Sequence, residues 1–211
     1  MDTLTELHDQ IKVCQRCALS KGRTHAVPGV GPATAEIMLI GEAPGFHEDR
    51  QGLPFVGPAG KFLDELLGSA GIKREEVYIA NVIKSRPPGN RDPLPEEIEA
   101  CRSWLDAQIE IIKPKVIVTL GRFSMARWFP KASISRIHGQ PKRIGGVIYV
   151  PMLHPAAALH QAQYRPLLIA DFQKLPLMLE ELREEQRQEE QRKQQSSSST
   201  TGGQPQQLSL F

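Results

Sequence analysis

Residues 37–60 read IMLIGEAPGFHEDRQGLPFVGPAG. The opening run Ile37-Met38-Leu39-Ile40 is short and apolar, which predicts a buried strand. Gly41 and Glu42 follow, then a Pro44-Gly45 turn, the acids Glu48 and Asp49, Phe55 between Pro54 and Val56, and a Gly57-Pro58-Ala59-Gly60 entry into a helix. Open α/β sheets hold ligands in the crevice outside the carboxyl ends of their strands. Glycines there let backbone approach a ligand, and helix N-termini attract phosphate. A connection of about twenty residues is long for a plain link and is expected to carry function.

On the N-terminal side, Leu4, Leu7 and Ile11 stand at helical spacing over residues 3–13, and Cys14-Gln15-Arg16-Cys17 follows at once. Residues 18–36 are rich in turn formers. Beyond the central stretch the pattern predicts a helix over 61–70, a strand over 77–83 and a proline-stiffened basic loop over 85–93. A helix carrying Cys101 follows over 95–113, then a strand over 115–120 and a short helix through Trp128. Residues 142–144 and 147–150 flank Gly145-Gly146, a hairpin signal. Met152-Leu153-His154-Pro155 ends that strand, and a last helix begins near Arg165 and bends or restarts at Pro176. Strands alternating with helices imply an α/β fold, a three-layer α/β/α sandwich around a mostly parallel central sheet.

The chain is long enough for one well-cored domain, expected over residues 1–179, and a tail. Residues 180–193 read as a charged helical extension supported by Glu180–Arg183, Glu184–Arg187 and Glu189–Lys193. Residues 194–206, QQSSSSTTGGQPQ, read as a flexible linker, and residues 207–211, QLSLF, reverse that composition. No apolar run approaches a membrane span and no secretory leader is evident, so a soluble, cytoplasmic monomer is expected. Three cysteines are too few for a disulfide framework, and CxxC in such a setting means metal, cluster or redox dithiol. The formal net charge is +2, yet no acid lies between Glu110 and Asp171. That segregation suggests an electropositive face for a polyanion, unless acids from elsewhere in the fold neutralise it.

The ordered set Cys14-x-x-Cys17, Gly41-Glu-Ala-Pro-Gly45 with Glu48-Asp49, Gly52-Leu-Pro-Phe-Val-Gly-Pro-Ala-Gly60, Asn81-Val-Ile-Lys84, Arg86-Pro-Pro-Gly-Asn-Arg91, Cys101 and His154-Pro155 resembles the family 4, iron–sulfur uracil-DNA glycosylases. The resemblance spans residues 11–175 and implies excision of uracil from DNA. An enzyme acting on a base in a duplex must flip it out and hold it. Phe55 would supply a stacking face, and Asn81 a donor and an acceptor for the Watson–Crick edge. His154 could donate to the uracil oxygen as charge builds on the leaving base. Glu42 could position or activate the attacking water or stabilise positive charge on the sugar, while Glu48 assists or shapes the pocket. Ala43 stands where related classical enzymes carry the water-side Asp, so the acid role is expected to be redistributed. Arg86, Asn90 and Arg91 are expected at phosphate. Residues 85–93 carry no inserted loop and no His, which predicts turnover without a stable protein–DNA adduct.

The resemblance also implies a 4Fe–4S cluster on Cys14, Cys17 and Cys101, with Ser85 where the family has its fourth cysteine. A serine hydroxyl is a poor neutral ligand for such a cluster. Gln207, Leu208, Ser209, Leu210 and Phe211 resemble the pentapeptide that binds the bacterial sliding clamp, and the linker before them would act as a tether. The rival reading is a non-catalytic, clamp-associated DNA-binding module with the same fold. Glu42, Asn81 and His154 together argue for the enzyme, because a DNA binder needs basic residues and not that set.

Overall fold

The structure is a computed structural model and describes residues 3–198. Five strands form one sheet in the order β2-β1-β3-β5-β4. These are β1 (Ile37–Gly41), β2 (Val77–Asn81), β3 (Val116–Leu120), β4 (Lys142–Ile144) and β5 (Val147–Met152). The first three and β5 run parallel, and only the β4–β5 hairpin is antiparallel. The expected mostly parallel sandwich is the observed one.

Period-two alternation builds both faces. Leu39, Ile79, Val118 and Val150 point into one core with Phe62, Leu66 and Phe172. Met38, Ile40, Tyr78 and Ile117 point into the other, with Leu7, Ile11 and Trp104. The second face is covered by α1 (Thr3–Lys12) and α4 (Pro95–Ile112), and the first by α3 (Pro58–Ser69), α8 (Tyr164–Phe172) and the start of α9 (Leu175–Ser198). Short helices α2 (Phe46–Gln51), α5 (Arg122–Ala126), α6 (Ile134–Ile137) and α7 (Pro155–His160) complete the set. After β1 the chain pairs β2 on one edge and then β3 on the other, so strand order reverses beside β1, where such sheets open a crevice.

Several expected boundaries move. The long connection after β1 contains α2 and delivers α3 from Pro58 at N1, a position that suits proline. Strand β2 stops at Asn81, because Val82 and Ile83 turn to donate to the Gly41 and Glu42 carbonyls. Residue 179 is not a structural break: Leu182 is buried in the core, Arg183 pairs with Glu36, and Arg143 pairs with Glu185. The expected linker is helical over residues 194–198, where α9 propagates beyond its ion-paired turns. The three expected pairs along α9 are all present.

The acid-free span does not make an unopposed electropositive face. Lys115 pairs with Glu36, Arg122 with Asp92, Arg127 with Asp106, Arg143 with Glu185 and Arg165 with Glu65. Acids distant in sequence fold onto these cations. No helix among the described residues is long and apolar enough to cross a membrane.

Candidate functional site

A cleft of about 590 Å³ opens at the carboxyl ends of β1, β2 and β5. It gathers Glu42, Ala43 and Phe55 from the connection after β1 with Asn81 and His154 from distant parts of the sequence, and Glu48, Asn90 and Arg91 are also in its lining. Strand register explains the first part of this. Gly41 and Asn81 are paired neighbours at the ends of β1 and β2. A Cβ on Gly41 would collide with Asn81 Oδ1 and with the Phe55 ring, so the glycine is what lets both side chains in.

Asn81 is 2% exposed, and its Oδ1 has no hydrogen-bond partner among the described residues. An unsatisfied buried acceptor costs about 1–3 kcal/mol, so such groups usually await a donor. Its main chain is held from below. Buried Lys84 donates from Nζ to the Asn81 carbonyl at 2.8 Å and to Gln108 Oε1 at 2.7 Å. Gln108 in turn donates to the Tyr78 hydroxyl and the Pro28 carbonyl. Burial lowers the Lys84 amine to about 7.

His154 N-caps α7, and its Nδ1 accepts from the Ala156 N–H at 3.1 Å. That bond puts the proton of the neutral ring on Nε2. Burial lowers the imidazole to about 4, against a smaller opposite pull from Glu48. The ring is therefore a neutral donor at pH 7. It stacks on Phe55, with centroids 5.6 Å apart and planes 26° apart. Gly121, with φ of +92°, packs against the His154 ring where a side chain would crowd it.

Phe55 itself has φ of +52°, a costly conformation for an aromatic residue. Its carbonyl accepts from Arg74, and the absence of a side chain at Gly60 lets α3 pass against its backbone. Glu48 is committed to this loop. Its oxygens accept from the Gly45, Val56 and Gly57 N–H groups at 3.2, 2.9 and 2.9 Å. Of the two roles expected for Glu48, this geometry supports shaping the pocket. Asp49 is likewise buried and accepts from the Thr24 N–H.

Glu42 stands just past the end of β1 and is half-buried. Burial, then the nearby Asp92 charge, raises its carboxyl above the ordinary 4.5, while Arg122 opposes the shift. A carboxylate with a raised pKa beside a cleft suits proton abstraction from water. Arg91 uses both guanidinium nitrogens on Glu97, which fastens the 85–93 loop to the first turn of α4. Its fork is thus paired within the fold, while the side chain stays partly exposed in the lining of the cleft. Arg86 donates from Nε to Asn90 Oδ1 at 2.7 Å at the exposed rim.

The uracil DNA glycosylase superfamily model matches residues 28–177, a stretch that holds every residue of this cleft. The chain belongs to that superfamily. It is similar to the type-4 uracil-DNA glycosylase of Archaeoglobus fulgidus, 47% identical over 184 residues, which are 83% of this chain and 92% of the relative. The type-4 enzyme of Sulfurisphaera tokodaii is 45% identical over 185 residues, 83% of this chain and 84% of the relative. That of Thermotoga maritima is 44% identical over 171 residues, 79% and 89% of the two chains.

The resemblance to this superfamily's iron–sulfur branch directs attention to the thiols. Cys14 and Cys17 pack against the core that buries Cys101. Cys14 Sγ accepts from Trp104 Nε1 at 3.3 Å. Burial pushes the Cys101 thiol up, Lys84 opposes the shift, and the neighbouring Cys17 and Cys14 add to it. Yet among the described residues no three or more His, Cys, Asp or Glu side chains are arranged to hold a metal ion. Ser85, 2% exposed, accepts at Oγ from Arg23 Nη1 at 2.9 Å. Arg23 also donates to the Lys12 and Cys14 carbonyls. The donor set does not fit a four-thiolate cluster, and the fourth corner is engaged by a guanidinium.

Sequence reasoning missed Arg122, Asp92 and Gln108. Asp92, from a distant loop, and Arg122, at the start of α5, set the charge around Glu42, and Gln108 lies within a helix with no local signal. The clamp-like peptide, residues 207–211, lies outside the described residues.

Proposed function

We propose that this chain is a monofunctional uracil-DNA glycosylase, which hydrolyses the N-glycosidic bond of uracil in DNA and leaves an abasic site for base excision repair. The observation that carries the reading is the unpartnered Asn81 Oδ1 in a cleft that also presents a neutral histidine donor. Uracil offers the missing complement: its N3–H can satisfy Asn81, and its carbonyl oxygen can accept from His154 Nε2. As the bond breaks, negative charge builds on the uracil ring. A fixed donor aimed at that oxygen stabilises the charge without reorganisation. Neutral His154 bonds the anion without passing a proton through an ionised state. Phe55 gives the base an apolar face. Glu42 receives the proton of the attacking water or balances positive charge on the sugar. Glu48 keeps the loop that carries Phe55 closed, and Ala43 leaves room beside Glu42. Arg86 and Asn90 at the rim meet phosphate.

Purified protein incubated with a uracil-containing oligonucleotide tests this on a denaturing gel. Cleavage that requires alkali, and no protein–DNA species surviving denaturation, is the expected result. An intact strand that stays bound supports a non-catalytic module instead.

Two further parts of the proposal stand apart from the cleft. The peptide Gln207-Leu208-Ser209-Leu210-Phe211 binds a bacterial sliding clamp, because its glutamine and apolar side chains suit a surface pocket. Deleting residues 207–211 is expected to abolish clamp binding and leave excision of free oligonucleotides intact. Any iron–sulfur cluster held by Cys14, Cys17 and Cys101 is structural, with its fourth ligand outside the protein's thiols. Iron, sulfide and visible absorbance in anaerobically purified protein support it; their absence with full activity removes it.

A further inference from the structure

Phe46 opens α2 at the rim of the cleft and is 49% exposed. A lone exposed aromatic needs no explanation, but this one is framed by cations. The Arg86 guanidinium carbon lies 5.2 Å from its ring centroid and that of Arg50 lies 5.7 Å away. His47 meets the ring edge-on at 5.5 Å. The ring is presented on rigid backbone, because Glu48 clasps the preceding Gly45 N–H and the Val56 and Gly57 N–H groups across the loop. Among the described bonds, Arg86 uses only its Nε, on Asn90.

Both guanidiniums lie over the ring. Single-stranded nucleic acid is held where such cations are drawn to the flanking phosphates and the ring is left to a base. Phe46 is part of the lining of the uracil cleft, so a strand with its uracil in the cleft runs within reach of it. Flipping one nucleotide also leaves its neighbours without a stacking partner. We propose that Phe46, with Arg50 and Arg86, is a stacking platform for the nucleobase adjacent to the excised uracil on the same strand. This rests on the excision reading above.

The test uses the full chain and its Phe46→Ala and Phe46→Trp variants on single-stranded uracil oligonucleotides. A second set of substrates replaces the nucleotide on the 5′ or the 3′ side of uracil with a tetrahydrofuran abasic spacer. Base–aromatic stacking of ordinary strength predicts a KM roughly tenfold higher for Phe46→Ala with kcat little changed, and recovery in Phe46→Trp. On one of the two spacer substrates the difference between wild type and Phe46→Ala is expected to vanish, which a merely structural role would not produce. Equal KM values for wild type and Phe46→Ala, or a defect that persists on both spacer substrates, overturn the platform alone. Wild-type protein that excises nothing overturns the excision reading and the platform with it.

Discussion

Residues 81 and 85 lie four apart, and their polar side chains meet opposite fates. Asn81 faces the cleft with a buried acceptor that nothing in the described fold satisfies. Ser85 is just as buried, but its hydroxyl is taken by Arg23, whose other bonds tie the Cys14 turn to the end of α1. Between them Lys84 is wholly internal, bonded to the Asn81 carbonyl and Gln108. One side of the segment is thus poised for an external partner and the other is closed by internal ones. An unmade hydrogen bond points to a ligand only where it faces a cleft: Thr119 Oγ1 is also unpartnered among the described residues, but it lies within β3 and outside the cleft lining.

That contrast breaks most visibly if the cleft residues are removed. Asn81→Ala and His154→Ala are each expected to lower single-turnover excision by about 10²–10³-fold, the usual loss for a fixed transition-state donor. Circular dichroism melting should show both still folded. A loss below about tenfold in both would remove the cleft as the site.

Lys84→Met tests the internal side. It strips donors from Gln108 and the Asn81 carbonyl, and a cost of about 1–3 kcal/mol is expected in urea unfolding. Excision should fall too, since the Asn81 backbone loses its support. Ser85→Ala should cost about 1 kcal/mol, because Arg23 keeps two carbonyl partners.

The two titratable cleft groups give separable pH signatures. His154 is lowered from 6.5 to about 4 by burial, so the folded state resists protonation more than the unfolded chain. Its contribution to stability is fully present above pH 6.5 and is lost as pH falls from there to about 4, with a total of about 3 kcal/mol. His154→Leu should flatten that part of the stability profile. Glu42 is raised by burial and must be ionised to act as a base. Excision should therefore decline as pH drops towards Glu42's raised pKa, and Glu42→Gln should erase that limb.

Much of this was legible in the sequence. The strand that ends at Gly41, the helix opened by Pro58 and the hairpin at Gly145-Gly146 follow from local patterning and turn chemistry. Glu42, Asn81 and His154 are marked by the family resemblance, and the structure places each at or just past the carboxyl end of a strand, where α/β sheets hold their ligands. The loop-shaping bonds of Glu48 and the Arg91–Glu97 pair could not be marked in that way, since only the folded loops bring those partners near. The partial neutralisation of the acid-free span was hidden for the same reason: Glu36, Asp92 and Asp106 are remote in sequence and adjacent in space. The platform residue Phe46 carries no periodic signal, because it sits in a helix of six residues at the rim.

The central claim is that the vacant Asn81 acceptor reads the uracil N3–H. Single-turnover excision of uracil and of N3-methyluracil from otherwise identical single-stranded oligonucleotides tests it directly. Wild-type protein is predicted to excise uracil at least about a hundredfold faster, and Asn81→Ala to lose most of that preference. Equal rates on the two bases in wild-type protein, or a preference undiminished in Asn81→Ala, would contradict the account.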